Sequence, residues 1–77
     1  MYRYPKLKEL RKNKKLSQKT VALLIHTTQQ QYYKYEKGLQ EIPVHHLLTL
    51  AEFYEVSMEY IITGYVKVSK SASSRNK

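Results

Sequence analysis

Leu16–Gly38 reads LSQKTVALLIHTTQQQYYKYEKG, and the punctuation of this stretch decides the fold. Ser17 ahead of Gln18 is a good N-cap, because its hydroxyl accepts from the free backbone N–H groups of a first helical turn. From there Val21, Ala22 and Ile25 recur at helical spacing and predict an inward face. His26-Thr27 breaks that pattern. Thr28, with Gln31 three residues on, forms a capping box that opens a second helix, and Thr27 with Gln30 fits the same box one residue earlier. Tyr32 and Tyr35 supply the buried stripe of this second helix. Gly38 ends it, since glycine takes up the left-handed C-cap at no steric cost.

Working outward, Leu7 and Leu10 stand at i, i+3 among Lys6, Lys8, Glu9, Arg11 and Lys12, which predicts a helix with one apolar stripe, interrupted at Asn13-Lys14-Lys15. Downstream, residues 39–43 read as a loop, because Pro43 favours a helix start over a helix interior. Val44, Leu47, Leu48 and Ala51 then fall at i, i+3, i+4, i+7, with Phe53 and Tyr54 adding bulk, the strongest amphipathic signal in the chain. Ser57 caps a short helix containing Met58, Tyr60, Ile61 and Ile62, which Gly64 stops. The expectation is an all-α, five-helix domain over residues 1–64. Residues 65–77 form a basic, Ser-rich tail. In it SKSASSRNK (69–77) has the composition of a disordered segment, and Tyr65-Val66-Lys67-Val68 alternates as a short dimer-contacting strand would, or frays.

The totals narrow the function. A chain of 77 residues holds one domain, which buries only about 60% of the surface its unfolded form exposes. With no cysteine, neither disulfides nor a Cys-based zinc cluster supports that core, so stability must come from helix packing. The opening MYRYPKLKEL lacks the apolar stretch of a signal peptide, which predicts a soluble, cytoplasmic protein with no membrane partner. Charge is unevenly spread. Residues 1–38 carry ten Lys/Arg against Glu9 and Glu36, whereas 39–66 hold Glu41, Glu52, Glu55 and Glu59 with no Lys or Arg. A basic patch of this kind is the footprint of a polyanion binder.

Other chemistries fit poorly. Catalysis would need a nucleophile, a carboxylate pair or a phosphate loop. Cysteine and aspartate are absent, no Gly-rich loop exists, and the glutamates sit at solvent-type positions, so no enzyme and no cofactor are expected. His45 and His46 are neighbours whose directions on a helix differ by about 100°, so they are not expected to share one metal-binding face. Eight tyrosines suggest base stacking on RNA, but Tyr32, Tyr35, Tyr54 and Tyr60 fall at core-type positions and leave Tyr33 for an outer surface. Two leucines are too narrow a stripe for the first helix to lie in a membrane.

Two short helices joined by a three- or four-residue turn, the second rich in Gln and Lys on its outer face, form a helix-turn-helix candidate. On the second helix Gln29, Gln30, Tyr33, Lys34 and Lys37 fall away from the tyrosine stripe. Glutamine both donates to and accepts from the adenine edge in the major groove, and lysine prefers the guanine edge. Gln29-Gln30 at the start of that helix therefore suits base reading.

LKELRKNKKLSQKTVALLIHTTQQQYYKYEKGLQEIP resembles the Cro/C1-type helix-turn-helix family of bacterial and phage regulators, also called the XRE family. The motifs that carry the likeness are Leu10-Arg11, Leu16-Ser17-Gln18 and Tyr35-Glu36-Lys37-Gly38, with SMEYIITG similar to the family's fifth helix; together they span about residues 6–64. Thr27-Thr28-Gln29-Gln30 is similar to the recognition-helix opening of some lambdoid phage repressors. The resemblance implies a lambda-repressor-like fold, with Gln29, Gln30 and Lys34 on bases, joined by Tyr33. It places Gln18, Thr28 and Lys37 on phosphates, and makes Arg11–Glu36 a structural ion pair that fixes the first helix against the end of the third; Lys19, on the cationic flank, is expected on phosphate as well. Departures from the family pattern are His26 at the usual turn glycine, Thr27 at a frequent small hydrophobe and Tyr32 in place of a smaller aliphatic residue. The implied function is a sequence-specific regulator of transcription, a repressor holding a palindromic operator in double-stranded DNA as a homodimer. The alternative is an antitoxin-like protein that binds a partner protein through the last two helices and regulates its own promoter.

Overall fold

The computed structural model describes residues 3–65, and among them the chain runs α1 (Leu7–Asn13), α2 (Gln18–Leu24), α3 (Gln29–Lys37), α4 (Val44–Tyr54) and α5 (Met58–Thr63). Three of these helices start at hydroxyl caps. Ser17 Oγ accepts from the Thr20 N–H at 3.1 Å, Thr28 Oγ1 from Gln31 at 3.1 Å, and Ser57 Oγ from Tyr60 at 2.9 Å. Of the two capping boxes open to α3, the later one is used. The Gln31 side-chain amide donates to the Gln40 side chain, tying the start of α3 to the loop after it. Gly38 at φ 76° and Gly64 at φ 81° supply left-handed C-caps. A Cβ at Gly64 would come within 3.1 Å of Pro5 Cγ, a tight contact that adds to the left-handed dihedral angle in favouring glycine there.

The core gathers one or more side chains from every helix. Leu7, Val21, Ile25, Tyr32, Leu50 and Ile61 have essentially no exposed surface, and Ala22, Tyr35, Leu47, Ala51 and Tyr54 close around them. Each fully buried large side chain contributes about 1.5–3 kcal/mol relative to exposure, and no disulfide adds to that.

α4 is rotated relative to the expectation. Val44 is 72% exposed and Leu48 46%, and the buried stripe is Leu47, Leu50, Ala51 and Tyr54. Both sets obey the i, i+3, i+4, i+7 rule, but only the second brings the large Tyr54 ring inside, and Phe53 is left at the surface. In α5 only Ile61 is fully buried: Ile62 points outward and Tyr60 is half-buried rather than a core residue. The rings of His45 and His46 do not diverge either. Their centroids lie 4.1 Å apart at 49°, because side-chain torsions turn the rings together despite the 100° step of the backbone. Among the described residues no group of three or more His, Cys, Asp or Glu could hold a metal ion, and no helix is long and apolar enough to cross a membrane.

Tyr4 carries a contact that periodicity does not reveal. The ring is buried, and its hydroxyl accepts from the Ile42 N–H at 2.8 Å. The approach to α1 thereby pins the loop before α4, whose Ile42 is itself in the core. Tyr65 is exposed, and the strand or disorder expected over the rest of the tail falls on residues 66–77, outside those described.

Candidate nucleic-acid interface

The turn between α2 and α3 is held by the backbone. The His26 N–H donates to the Leu23 carbonyl at 3.1 Å and the Thr27 N–H to Ala22 at 2.9 Å. His26 takes φ 58°, the left-handed conformation that glycine adopts without strain, so the turn accepts this histidine at a position where the local geometry favours glycine. From it, α3 leaves with Tyr32 and Tyr35 buried against α2 and the rest of the core.

That burial fixes what α3 presents outward. Thr28, Gln29, Gln30, Tyr33, Lys34 and Lys37 are all exposed, as is Lys19 on α2, and Gln18 is half-buried. Gln18, Gln29, Gln30 and Tyr33 line one shallow hollow of about 230 Å³. The Lys37 ammonium lies 5.8 Å from the centroid of the Tyr33 ring, a cation–π distance. Lys34 and Lys37 occupy the last turn of α3, where their charge also complements the helix dipole.

Behind this surface sits a charged cluster that sets the angle of α3. Arg11 Nε donates to Glu36 Oε2 at 2.6 Å and its Nη2 to Oε1 at 3.3 Å, while Nη1 donates to the Leu16 carbonyl at 2.8 Å. Tyr32 Oη donates to Glu36 at 2.8 Å, and the Gln18 amide at 3.1 Å. The Glu36 side chain is only 4% exposed. Burial alone would push its carboxyl up, but the hydrogen bonds from Arg11, Tyr32 and Gln18 outweigh that and hold it below the usual carboxylate value. The Arg11 guanidinium is pushed further up by its bond to Glu36, against the opposing effect of burial. Burial, reinforced by the bond to Glu36, pushes the Tyr32 hydroxyl far above its ordinary value. One carboxylate thus joins α1, α2 and α3.

The profile of the helix-turn-helix family matches residues 7–61. This chain belongs to that family. It is also similar to two uncharacterised HTH-type transcriptional regulators, one from Rickettsia conorii and one from Rickettsia prowazekii. Each is 35% identical over 65 residues, which are 84% of this chain and 52% and 50% of those proteins respectively. The chain therefore spans about half the length of these relatives. In helix-turn-helix terms α2 is the supporting helix and α3 the presented one.

Of the residues singled out in the sequence, Gln18, Gln29, Gln30 and Tyr33 are gathered in one hollow, with Lys37 against Tyr33 and Arg11 against Glu36. Lys19, Thr28 and Lys34 are exposed nearby on the same two helices or at the α3 cap. Gln18 is not wholly free for a ligand, since its amide is bonded to Glu36. Sequence reasoning missed the Tyr32–Glu36 bond, although its i, i+4 spacing was a visible signal. It also missed that Arg3 and Lys8 line a second hollow with Lys37, for which no local spacing gives a signal.

Proposed function

We propose that this helix-turn-helix protein is a sequence-specific regulator of transcription, a repressor that occupies a palindromic operator in double-stranded DNA as a homodimer. The observation that carries the reading is the shared exposure of Gln29 and Gln30 at the capped start of α3, beside Tyr33 and within the cationic part of the chain. In this reading Gln29, Gln30, Lys34 and Tyr33 meet base edges in the major groove, with the glutamines suited to adenine. Gln18, Thr28, Lys19 and Lys37 meet phosphates, and the amide of Gln18 offers its second N–H there. The HTH-type regulator names of the rickettsial relatives support the same role. Residues 1–64 act as the binding domain, and 65–77 as an appended tail. Exposed Val44, Ile62 and Tyr65 offer apolar surface for a second copy, and two-fold dimers place their presented helices in half-sites about one helical turn apart.

Selection of bound sequences from a random duplex pool tests the proposal directly, and enrichment of a palindrome is the expected result. On the selected duplex, Gln29→Ala loses about 1–3 kcal/mol and relaxes base choice at one position per half-site. Lys37→Ala weakens cognate and random duplexes alike and makes the salt dependence shallower. If both variants change cognate and random binding equally, α3 does not read sequence.

A further inference from the structure

Resting on the duplex-binding reading above, we propose that Arg3, Lys8 and Lys37 form a clamp for a backbone phosphodiester of DNA, at the end of α3 opposite Gln29 and Gln30. A hollow of about 380 Å³ lies between the approach to α1 and the end of α3, and these three cations line it together with Tyr4, Glu36 and Gly38. None of the three is paired with a carboxylate among the described residues, where the ion pairs are Lys6–Glu9 and Arg11–Glu36. Among the described residues Glu36 is the one carboxylate lining the hollow, and its charge is taken up by Arg11 at 2.6 Å with further donors from Tyr32 and Gln18. Three positive charges from two separate segments therefore line one space whose carboxylate is already paired.

The donors available match phosphate. Arg3 brings a planar fork suited to two phosphate oxygens, and the lysines bring point charges. Backbone amides contribute nothing, because the Gly38 N–H is bonded to Tyr35 and the Leu39 N–H to Lys34. A basic last turn that merely complements the helix dipole accounts for Lys37 but not for Arg3 and Lys8, which come from another segment.

The hollow is also placed where a backbone would pass. Two contacts link it to the hollow around the glutamines: Lys37 on Tyr33, and Gln18 on Glu36. α3 has nine residues and so rises about 13 Å, comparable with the major groove's width of about 12 Å. Its far end thus stands near a phosphate wall when its start faces base edges. Arg3, Lys8 and Lys37 are all exposed and do not cage a small ion, so the phosphate they suit is one that a duplex holds in place.

The test is salt-dependent binding to a random-sequence duplex of about 24 base pairs, long enough to span two turns of the helix. Arg3→Gln/Lys8→Gln is expected to make the slope of log affinity against log salt shallower by about 1 to 2, as loss of one or two phosphate contacts requires. Base preference on a selected duplex stays unchanged. Lys14→Gln/Lys15→Gln, which removes equal charge from the other end of α1, is expected to change the slope by less than half as much. Equal slope changes in the two double variants, with wild-type duplex binding intact, overturn the clamp alone. Saturable binding of millimolar inorganic phosphate, read from the Gly38 amide by NMR, assigns the hollow to a free anion and overturns it too. A wild-type protein that binds no duplex sinks the functional reading and the clamp with it.

Discussion

His26 stands at φ 58°, and a non-glycine residue there carries about 1–2 kcal/mol of left-handed strain. Glycine would remove that strain but lose about 0.5–1 kcal/mol through its freer unfolded chain. His26→Gly is therefore expected to leave stability unchanged or raise it by up to about 1.5 kcal/mol, read as a thermal midpoint that does not fall. The same substitution removes a charge facing His46. Burial, and then the charges of His45 and His26, hold the His46 imidazole below its ordinary 6.5. A histidine depressed in the native state favours the neutral form there, so its contribution is full above pH 6.5 and is lost as pH falls through the native value. An NMR titration should show the His46 value rising toward 6.5 in His26→Gly, and no movement would mean that His26 does not act on it. Tyr4 makes a second single-residue case. Tyr4→Phe leaves the Ile42 N–H in the core without the hydroxyl that accepts from it at 2.8 Å, and denaturant melts should record a loss of about 1–3 kcal/mol.

Among elements, the Glu36 carboxylate decides how α1, α2 and α3 meet. Arg11→Met leaves that carboxylate buried without its main partner and should cost about 3–5 kcal/mol, whereas Arg11→Met/Glu36→Met should cost less than two such losses, since no buried charge is left unpaired and what remains is the Tyr32 hydroxyl without its acceptor. A double-mutant cycle by chemical denaturation measures the difference, and additive losses would show that the pair has no joint role. The elements also show what the sequence made legible. The caps at Ser17 and Ser57 and both glycine stops were readable outright, and the α3 cap to within one residue, because a cap and the N–H it accepts from are three residues apart. The all-helical fold and the outward placement of Gln29, Gln30 and Tyr33 followed from those boundaries together with the Tyr32–Tyr35 stripe. The face of α4 was only partly readable: Leu47, Ala51 and Tyr54 were expected inside and are, but Val44 and Leu48 were expected there in place of Leu50. Its apolar residues satisfy two overlapping helical sets, and the choice between them depends on where Tyr54 fits in a core built by other helices. Tyr4 on Ile42, and Arg3 and Lys8 beside Lys37, were hidden for a related reason: each joins segments about thirty or more residues apart.

The whole molecule is cationic, with 14 Lys and Arg against 6 acidic residues, and acid sharpens that imbalance as the carboxylates gain protons. Two effects then act together and separate in salt. General repulsion among exposed charges is long-range and is screened once the Debye length shrinks to about 4 Å near 0.5 M salt. The Glu36 contribution is not screened in this way, because its side chain is 4% exposed and its partners touch it directly. Its native value lies below 4.5, so the unfolded chain takes up the proton first. The stability it confers is complete above pH 4.5 and declines as pH falls through the native value. Added salt at pH 3 should therefore restore only part of what the wild-type protein has lost relative to pH 7. In Glu36→Gln, which starts lower at pH 7, the acid-induced loss should be smaller and largely reversed by salt. Full recovery of the wild type at pH 3 in 0.5 M salt would mean that acid unfolds this protein through its overall charge and not through the carboxylate behind α3.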